Sequence, residues 1–145
     1  MNKFLIKLII AFVFLAYAQT SGAANVYYNY AKGIGSTGAD RAMSVFLDSS
    51  SNIYITGSFS DTVDFDPGSG TASLTSAGST DIFILKLDST GAFGWVKQIG
   101  GTGADDGNAI TTDSSGNVYV GGRFYSTIDF DPGAGTTNLT AGSAG

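Results

Sequence analysis

The sequence contains no cysteine, no histidine and no glutamate, so all 12 acidic residues are aspartates. Without cysteine, the chain has no disulfide to stabilise it. Without histidine and glutamate, acid and base catalysis near neutral pH would require aspartate, tyrosine or lysine with a strongly shifted pKa. Lysine and arginine together number only 7 and form no cluster, which argues against a nucleic-acid partner.

The residues that are abundant belong to strands and turns. The 145-residue chain contains 21 glycines and many serines and threonines, and aspartate shapes turns whereas glutamate favours helices. No stretch after the first residues shows a helical period of apolar positions. Composition therefore predicts an all-β protein.

The N-terminus predicts export. Lys3 and Lys7 precede an apolar run at 8–18, which ends in the small-x-small sequence Ala16-Tyr17-Ala18. This pattern is typical of a signal peptide at 1–18, with the cut as late as residue 24. The alternative is a membrane anchor, but the run is shorter than the roughly 20 apolar residues that span a bilayer. We expect a secreted or cell-surface bacterial protein with no membrane span in the mature chain.

The chain contains an internal repeat with an offset of 65 residues. The segment Asp113–Phe124 corresponds to Asp48–Phe59, and the sequence Asp-Phe-Asp-Pro-Gly at 129–133 corresponds to the same five residues at 64–68. Regular self-similarity of this kind indicates a repeat architecture.

The repeat predicts β-propeller blades. About half of the aligned pairs between residues 30–75 and 95–140 are identical, which a β-sandwich, the competing all-β fold, would not predict. Each repeat has four strands joined by tight turns, as in a propeller blade, so we expect antiparallel four-stranded blades in an incomplete ring of about one and a half blades. The predicted units are an N-terminal outer strand at 25–35, a first blade at 34–99 and a truncated second blade at 100–145.

Local patterns place individual elements within a blade. The run at 81–88 is apolar on both faces, which predicts a strand covered on both sides. Gly57 and Gly122 occupy equivalent strand positions and indicate a bulge or a close backbone approach. Asp113–Asn117 is predicted to be a hairpin loop in which Gly116 or Asn117 adopts a positive φ.

A glycine-rich turn occurs at 35–40 and again at 100–105. A phosphate-binding loop would require a following helix or a Gly-Lys-Ser/Thr sequence, and neither is present. We interpret both turns as connections between strands.

The motifs at 81–88, 95–101, 113–120 and 129–133 together resemble the SBBP (beta-propeller) repeat family of exported bacterial proteins. The resemblance implies a bladed propeller, and it implies no general set of catalytic residues. Because propellers contain roughly 4–8 blades, it also implies that the remaining blades of a longer protein are partners of this segment. An isolated segment would be unstable or would associate through its open blade faces and strand edges.

Two aspartate pairs are candidate calcium ligands. Asp64 with Asp66, and Asp129 with Asp131, place carboxylates two residues apart, as many Ca²⁺ loops do. Phenylalanine and proline interrupt the series, however, and no glutamate follows. The alternative is that each aspartate caps a turn by accepting hydrogen bonds from backbone N–H groups. Apart from calcium, no cofactor is expected.

The functional prediction is a non-catalytic repeat module with a structural or binding role toward a protein or a polysaccharide at the cell surface. The exposed aromatics Tyr27, Tyr28 and Tyr125 could stack on sugars, or they could pack between blades. A glycosidase-like or lyase-like enzyme with paired aspartates is disfavoured, because those aspartates recur in both repeats. A further alternative is the non-catalytic part of a larger secreted carbohydrate-active enzyme.

Overall fold

The computed structural model describes residues 31–142, and this range is all-β, which confirms the predicted fold class. The predicted signal peptide at 1–18, Tyr27, Tyr28 and most of the predicted outer strand at 25–35 lie outside the described residues. No helix between residues 31 and 142 is long and apolar enough to cross a membrane. The ten strands are β1 (Arg41–Leu47), β2 (Ile53–Phe59), β3 (Thr62–Asp64), β4 (Ser73–Thr75), β5 (Asp81–Leu87), β6 (Phe93–Gly101), β7 (Asp106–Thr112), β8 (Val118–Arg123), β9 (Thr127–Asp129) and β10 (Asn138–Thr140).

Four long strands form one complete antiparallel blade in the order β1-β2-β5-β6, here called blade 1. The central strands β2 and β5 pair without interruption from Ile53↔Leu87 to Phe59↔Asp81. Strand β6 completes the sheet on the far side of β5. This is the four-stranded antiparallel unit that the sequence predicts.

The two central strands are apolar on both faces, as predicted for 81–88. Because strand side chains alternate, Ile53 and Leu85 point to one face, the front face, and Tyr54 and Ile84 point to the other, the back face. All four of these side chains are buried. Each face must therefore be shielded from water by another structural element.

A small hairpin of β3 and β4 covers part of the front face. Val63 and Phe65 join the front-face core, and the Phe65 ring lies 5.2 Å from that of Phe59 and 5.0 Å from that of Phe83, centroid to centroid. The patterns described above do not predict this hairpin. Its apolar residues are few and isolated, so the strand character of Ser73–Thr75 depends on pairing with β3 rather than on a pattern of its own.

The second repeat contains the first two strands of another blade and an equivalent hairpin. Strands β7 and β8 pair with each other and are called blade 2, while β9 and β10 form the hairpin. This hairpin also joins blade 1, since Gly100 and Gly101 at the end of β6 pair with Asp129 and Ile128.

A lysine contact between the repeats occurs twice at the same spacing. Lys97 on β6 donates to the carbonyl oxygen of Pro132 at 3.4 Å, and Lys32 donates to that of Pro67 at 3.2 Å. Ile34 packs on the front-face core of blade 1 although residues 31–36 form no strand. Residues 31–35, the described part of the segment predicted as an outer strand, therefore form no strand, and Ile34 lies over blade 1.

The two blades pack face to face. Ile110, Val118 and Val120 of blade 2 join the back-face core of blade 1, which includes Tyr54 and Ile84. A side chain at Gly107 on β7 would collide with Thr56 and approach Ile82 to 2.9 Å, so the two sheets are in close contact.

The glycines predicted to mark a bulge or close approach do so. A Cβ at Gly57 would collide with the carbonyl oxygen of Arg41, and a Cβ at Gly122 with that of Asp106. The pairing register shifts on the opposite strand in both blades, between Ala42 and Ser44 and at the equivalent place in β7. Glycine is needed at both positions because the bulged partner strand lies against it.

Aspartates build the hairpin loops. Asp113 Oδ1 accepts hydrogen bonds from the backbone N–H groups of Ser115 and Asn117, both at 2.9 Å, and Asp48 makes the equivalent bonds. Gly116 has φ 83°, which confirms the predicted positive φ. In the first repeat the same position is Ser51, with φ 62°.

A second aspartate in each repeat links the segment before the first strand of the blade to the segment after its second strand. Asp105 is buried and accepts hydrogen bonds from the N–H groups of Gly101 and Tyr125, both at 2.9 Å. Asp40 does the same for Ser36 and Ser60. The glycine-rich turn at 100–105 therefore connects β6 to β7, as predicted, and the turn at 35–40 leads into β1. A carboxylate accepts hydrogen bonds from backbone N–H groups in both.

Asp81, at the start of β5, is fully buried and only partly hydrogen-bonded. Its Oδ2 accepts from Ala77 N at 3.1 Å and from Gln98 Nε2 at 2.6 Å, whereas Oδ1 has no hydrogen-bond partner. Burial, reinforced by the negative charge of Asp105, raises the pKa of Asp81. A side chain at Gly100 would collide with this carboxyl group.

We expect Ser51→Gly to stabilise the protein. Holding a residue other than glycine in the left-handed region costs about 1–2 kcal/mol, and part of this gain is offset because glycine makes the unfolded chain more flexible. The net increase in the free energy of unfolding should be about 0.5–1 kcal/mol in urea denaturation. The matched control, Gly116→Ser, should destabilise, since only the backbone conformation opposes a side chain there. Equal stabilities of Ser51→Gly and the wild type would contradict this account.

We expect the stability advantage of Asp81→Asn to grow with pH. Because the folded pKa of Asp81 is above its ordinary value of 3.8, the folded protein holds this proton more strongly than the unfolded chain does. Wild-type stability from this group is therefore lost as pH rises from the ordinary pKa through the raised one. The difference in unfolding free energy, variant minus wild type, should increase between about pH 3 and about pH 7.

Asp88→Asn is the matched control for this measurement. The Thr90 hydroxyl and nearby backbone N–H groups lower the pKa of Asp88. The free energy of unfolding of this variant should therefore fall relative to that of the wild type as pH rises. A pH trend of the same sign for both variants would show that Asp81 is not the group responsible.

Candidate binding surface

The four predicted calcium ligands lie in the hairpins of the two repeats. Asp64 Oδ1 accepts hydrogen bonds from the N–H groups of Asp66 at 3.1 Å and Ala72 at 2.8 Å. Asp129 Oδ1 accepts the equivalent bonds from Asp131 at 3.0 Å and Thr137 at 2.7 Å. These backbone hydrogen bonds lower the pKa of Asp64 and of Asp129, so both carboxylates are ionised at neutral pH.

The second aspartate of each pair closes the turn that follows. Asp66 and Asp131 each accept a hydrogen bond from the N–H group of the glycine two residues later, both at 2.7 Å. Side chains at Gly70 or Gly135 would collide with these carboxylates. The turn leaves no room at that point for a larger residue.

This geometry matches the turn-capping interpretation of the four aspartates. One oxygen of each carboxylate is hydrogen-bonded to the backbone, and no three acidic side chains in residues 31–142 form a group that could hold a metal ion. A calcium site here would need backbone carbonyls and water to supply most of its six to eight ligands. Calcium binding through Asp64, Asp66, Asp129 and Asp131 stays a prediction.

Two hairpin loops enclose a cleft between the blades. The cleft has a volume of about 450 Å³ and is lined by Phe46 and by the loops at 48–50 and 112–116. The side-chain amides of Asn52 and Asn117 lower the pKa of Asp48 and of Asp113, respectively. Both walls are therefore negative at neutral pH, and the cleft disfavours anionic ligands.

Two positions that are serine in the first repeat carry larger side chains in the second. Ser58 and Ser60 of the first repeat correspond to Arg123 and Tyr125 of the second. Arg123 forms an ion pair with Asp106 at 2.8 Å. Burial opposes the ionisation of Asp106, but hydrogen bonds from Arg123 and Ser58 outweigh it and lower the pKa of Asp106.

Tyr125 is the exposed aromatic of this set. Its side chain is 51% exposed, and the Arg123 guanidinium carbon lies 6.0 Å from the ring centroid. Its backbone is fixed by Asp105 and lies against Gly103, where an added Cβ would approach the Tyr125 carbonyl oxygen to 2.7 Å. Of the two predictions made for Tyr125, stacking on a ligand and packing between blades, the exposure agrees with the first.

Sequence reasoning singled out Tyr125 but not its neighbours. Arg123 and Asp106 come from different strands and meet only because β7 pairs with β8 at Asp106↔Arg123. The signal that could have revealed them is their departure from the repeat, since Arg41 and Ser58 stand at the equivalent positions. Asp81 also went unnoticed as a buried charge, because its strand reads as a simple apolar run.

A catalytic arrangement is hard to build from these groups. Asp81 has a raised pKa, as a general acid needs, but it is 0% exposed and cannot meet a substrate. The aspartates of the hairpins and loops have lowered pKa values and hold backbone N–H groups. What the surface does offer is a fixed aromatic ring beside an ion pair.

Comparison with known proteins supports the repeat. The chain is 31% identical, over a 109-residue alignment covering 66% of its length, to an uncharacterized WD repeat-containing protein, L264, of Acanthamoeba polyphaga mimivirus. It is 28% identical over 113 residues, 78% of its length, to the regulatory protein FlaEY of Caulobacter vibrioides. The aligned regions are 8% and 12% of those two proteins. No solved structure matches the chain significantly.

A family model covers the region where the two repeats join. Residues 94–131, from β6 to just beyond β9, match the model described as a beta-propeller repeat. This match agrees with the four-stranded blade, with the face-to-face packing of the blades and with the motifs that the sequence repeats. Residues 94–131 are therefore similar to the SBBP beta-propeller repeat.

Proposed function

We propose that this chain is a non-catalytic β-propeller module of an exported bacterial protein, with a structural or binding role at the cell surface or outside the cell. The observation that carries the proposal is the duplicated use of aspartate. Asp40 and Asp105, Asp48 and Asp113, and the hairpin pairs accept the same backbone hydrogen bonds in both repeats. Groups employed identically in every repeat build the blade, whereas a catalytic site would differ between repeats.

A polysaccharide is the partner that the exposed surface favours over a protein. The Tyr125 residue is exposed, its backbone N–H donates a hydrogen bond to Asp105, and sugars stack on exposed aromatic rings through their apolar C–H faces. The nearby Arg123–Asp106 pair offers donors and acceptors for hydroxyl groups without a net charge. A neutral polysaccharide fits this combination better than an anionic one, because the guanidinium of Arg123 is already paired with Asp106.

We expect export with removal of the N-terminal segment. When the complete coding sequence is expressed with a C-terminal tag in a Gram-negative bacterium, the tagged protein should be found outside the cytoplasm. Its new N-terminus should lie after Ala18 or up to residue 24. The control is Ala16→Lys with Ala18→Lys, which should abolish cleavage after Ala18 because signal peptidase requires small residues at these places. An uncleaved wild-type chain in the cytoplasm would contradict the proposal.

We expect Tyr125→Ala to weaken polysaccharide binding without affecting stability. The test is affinity electrophoresis in gels that contain soluble β-glucan, mannan or xylan, and at least one should retard the wild type. Loss of one aromatic stacking contact should cut affinity by roughly ten-fold, about 1.4 kcal/mol. Tyr125→Phe is the matched control and should bind nearly as well. Equal mobility of Tyr125→Ala and the wild type in every gel would refute a role for this ring.

A further inference from the structure

Three hairpins of the structure begin with an aspartate that holds the backbone in the same way. Asp40 and Asp105 directly precede β1 and β7, and Asp81 is the first residue of β5. One carboxyl oxygen of each accepts a hydrogen bond from the backbone N–H group of the residue 4 positions earlier, at 2.6, 2.9 and 3.1 Å, respectively. The same turn is therefore built before each of these strands.

The second oxygen distinguishes Asp81 from the other two aspartates. In the other two, this oxygen accepts the N–H group of the residue 20 positions later, at 3.2 Å from Ser60 and at 2.9 Å from Tyr125. In Asp81 it has no hydrogen-bond partner, although the residue is 0% exposed. A buried polar atom without a partner needs a physical explanation.

The N–H group missing at Asp81 is that of Gly101. This glycine lies 20 positions after Asp81 and 4 positions before Asp105, so the pattern assigns its single N–H group to both carboxyl groups. It donates to Asp105 at 2.9 Å. Gly100, the residue before it, lies directly against the Asp81 carboxyl group, where a side chain would collide. Asp81 and Asp105 therefore compete for one donor.

Backbone hydrogen bonds hold the two carboxyl groups close together. The Asp105 N–H group donates to the carbonyl oxygen of Thr80 at 2.8 Å, and Thr80 and Ala104 form a parallel bridge. Asp81 and Asp105 follow these bridged residues in their two turns. They are the buried acidic residues of the described range 31–142. The negative charge of Asp105 therefore acts on Asp81 with little screening by water.

Within residues 31–142, no lysine or arginine is among the groups that face Asp81. Its own turn presents the N–H groups of Ala77 and Gly78, β6 presents the side-chain amide of Gln98, and the neighbouring turn presents Asp105. The first three groups are neutral, and Asp105 repels a second negative charge. Loss of the Asp81 proton therefore leaves a buried charge with an unpaired oxygen, which is costly unless an N–H group reaches it.

We propose that Asp81 is a pH-sensitive switch that determines which carboxyl group receives the Gly101 N–H group. While Asp81 holds its proton, Gly101 donates to Asp105, as in the structure. When Asp81 releases the proton to solvent, its free oxygen takes this N–H group. The transfer is favourable because Asp81 then has an ionised oxygen without any donor, whereas Asp105 keeps the donor of Tyr125.

The switch changes the connection between the blades. Asp105 links the end of β6, through Gly101, to the segment after β8, through Tyr125. Transfer of the Gly101 N–H group breaks this link, so the connection is tightest in acidic solution and loosens as pH rises through the titration of Asp81. Because the switch consists of hydrogen bonds from backbone N–H groups, it operates whether or not Tyr125 binds a sugar.

The experiment identifies the acceptor of the Gly101 N–H group by NMR, on the isotopically labelled chain produced from its complete coding sequence. The scalar coupling across the hydrogen bond joins the Gly101 nitrogen to the carboxyl carbon of its acceptor. In the wild type, this coupling should connect Gly101 to Asp105 below the pH at which the Asp81 carboxyl carbon titrates, and to Asp81 above it. The titration midpoint of Asp81 should lie above 3.8.

Asp81→Asn is neutral at every pH, so its Gly101 coupling should stay with Asp105 throughout. The Tyr125 amide resonance should shift at the Asp81 midpoint in the wild type and lose this step in Asp81→Asn. Asp88→Asn, directly after β5, is the matched control and should retain the wild-type exchange of acceptors.

Gln98→Met provides a second test if Asp81→Asn does not fold. Gln98 donates to Asp81 at 2.6 Å, and this hydrogen bond lowers the pKa of Asp81, opposing the effect of burial. Without that donor, the Asp81 titration and the exchange of acceptors should move to higher pH together.

A Gly101 coupling that stays with Asp105 at every pH in the wild type would overturn the proposal. An exchange of acceptors that persists in Asp81→Asn, or that does not move with the Asp81 titration in Gln98→Met, would overturn it as well. None of these readings involves a polysaccharide, so failure of the switch is distinguishable from failure of the proposed glycan surface.

Discussion

The structure depends on a sheet that is apolar on both of its faces. Ile53 and Leu85 point to one side of blade 1 and Tyr54 and Ile84 to the other, and such a sheet gains stability only when both sides are removed from water. The β3–β4 hairpin covers part of the front face, and blade 2 covers the back. Each covering element is itself a sheet with a second face to cover, so the fold is built by repetition in one direction.

Most of this architecture could be predicted from the sequence because it is encoded locally and twice. The alternation in 81–88, the glycines opposite the bulges and the Asp-x-x-x-Asn loops each reflect short-range physics, and the 65-residue offset shows that they belong together. The β3–β4 hairpin was missed because Ser73–Thr75 is a strand only by virtue of its partner. The Arg123–Asp106 pair and the buried state of Asp81 were missed for the same reason: they arise from register and burial, which a linear pattern of residue types does not encode.

Aspartate side chains fix several of the turns in this chain. A carboxylate that accepts two or three backbone N–H groups fixes a turn as firmly as a longer side chain could, and it lowers its own pKa in doing so. Turns built in this way stay charged and hydrated, so 12 aspartates are compatible with a stable neutral-pH fold. The exception is Asp81, which has only two donors and no solvent. Its raised pKa is the consequence of burial without full hydrogen bonding.

The internal repeat allows corresponding positions to be compared within one molecule. Tyr54 and Tyr119 occupy corresponding positions and make the same hydroxyl contact to the loop aspartate, at 3.3 and 3.1 Å, yet one is buried and the other exposed. Tyr54 lies on a central strand, with Trp95 of β6 and Lys86 of β5 against its ring, whereas the described partner of β8 is β7. By the same logic, Ser60 and Tyr125 have equivalent backbone hydrogen bonds, to Asp40 and to Asp105. Here the fold is unchanged and only the side chain differs, which is the signature of a position available for binding rather than for building the blade.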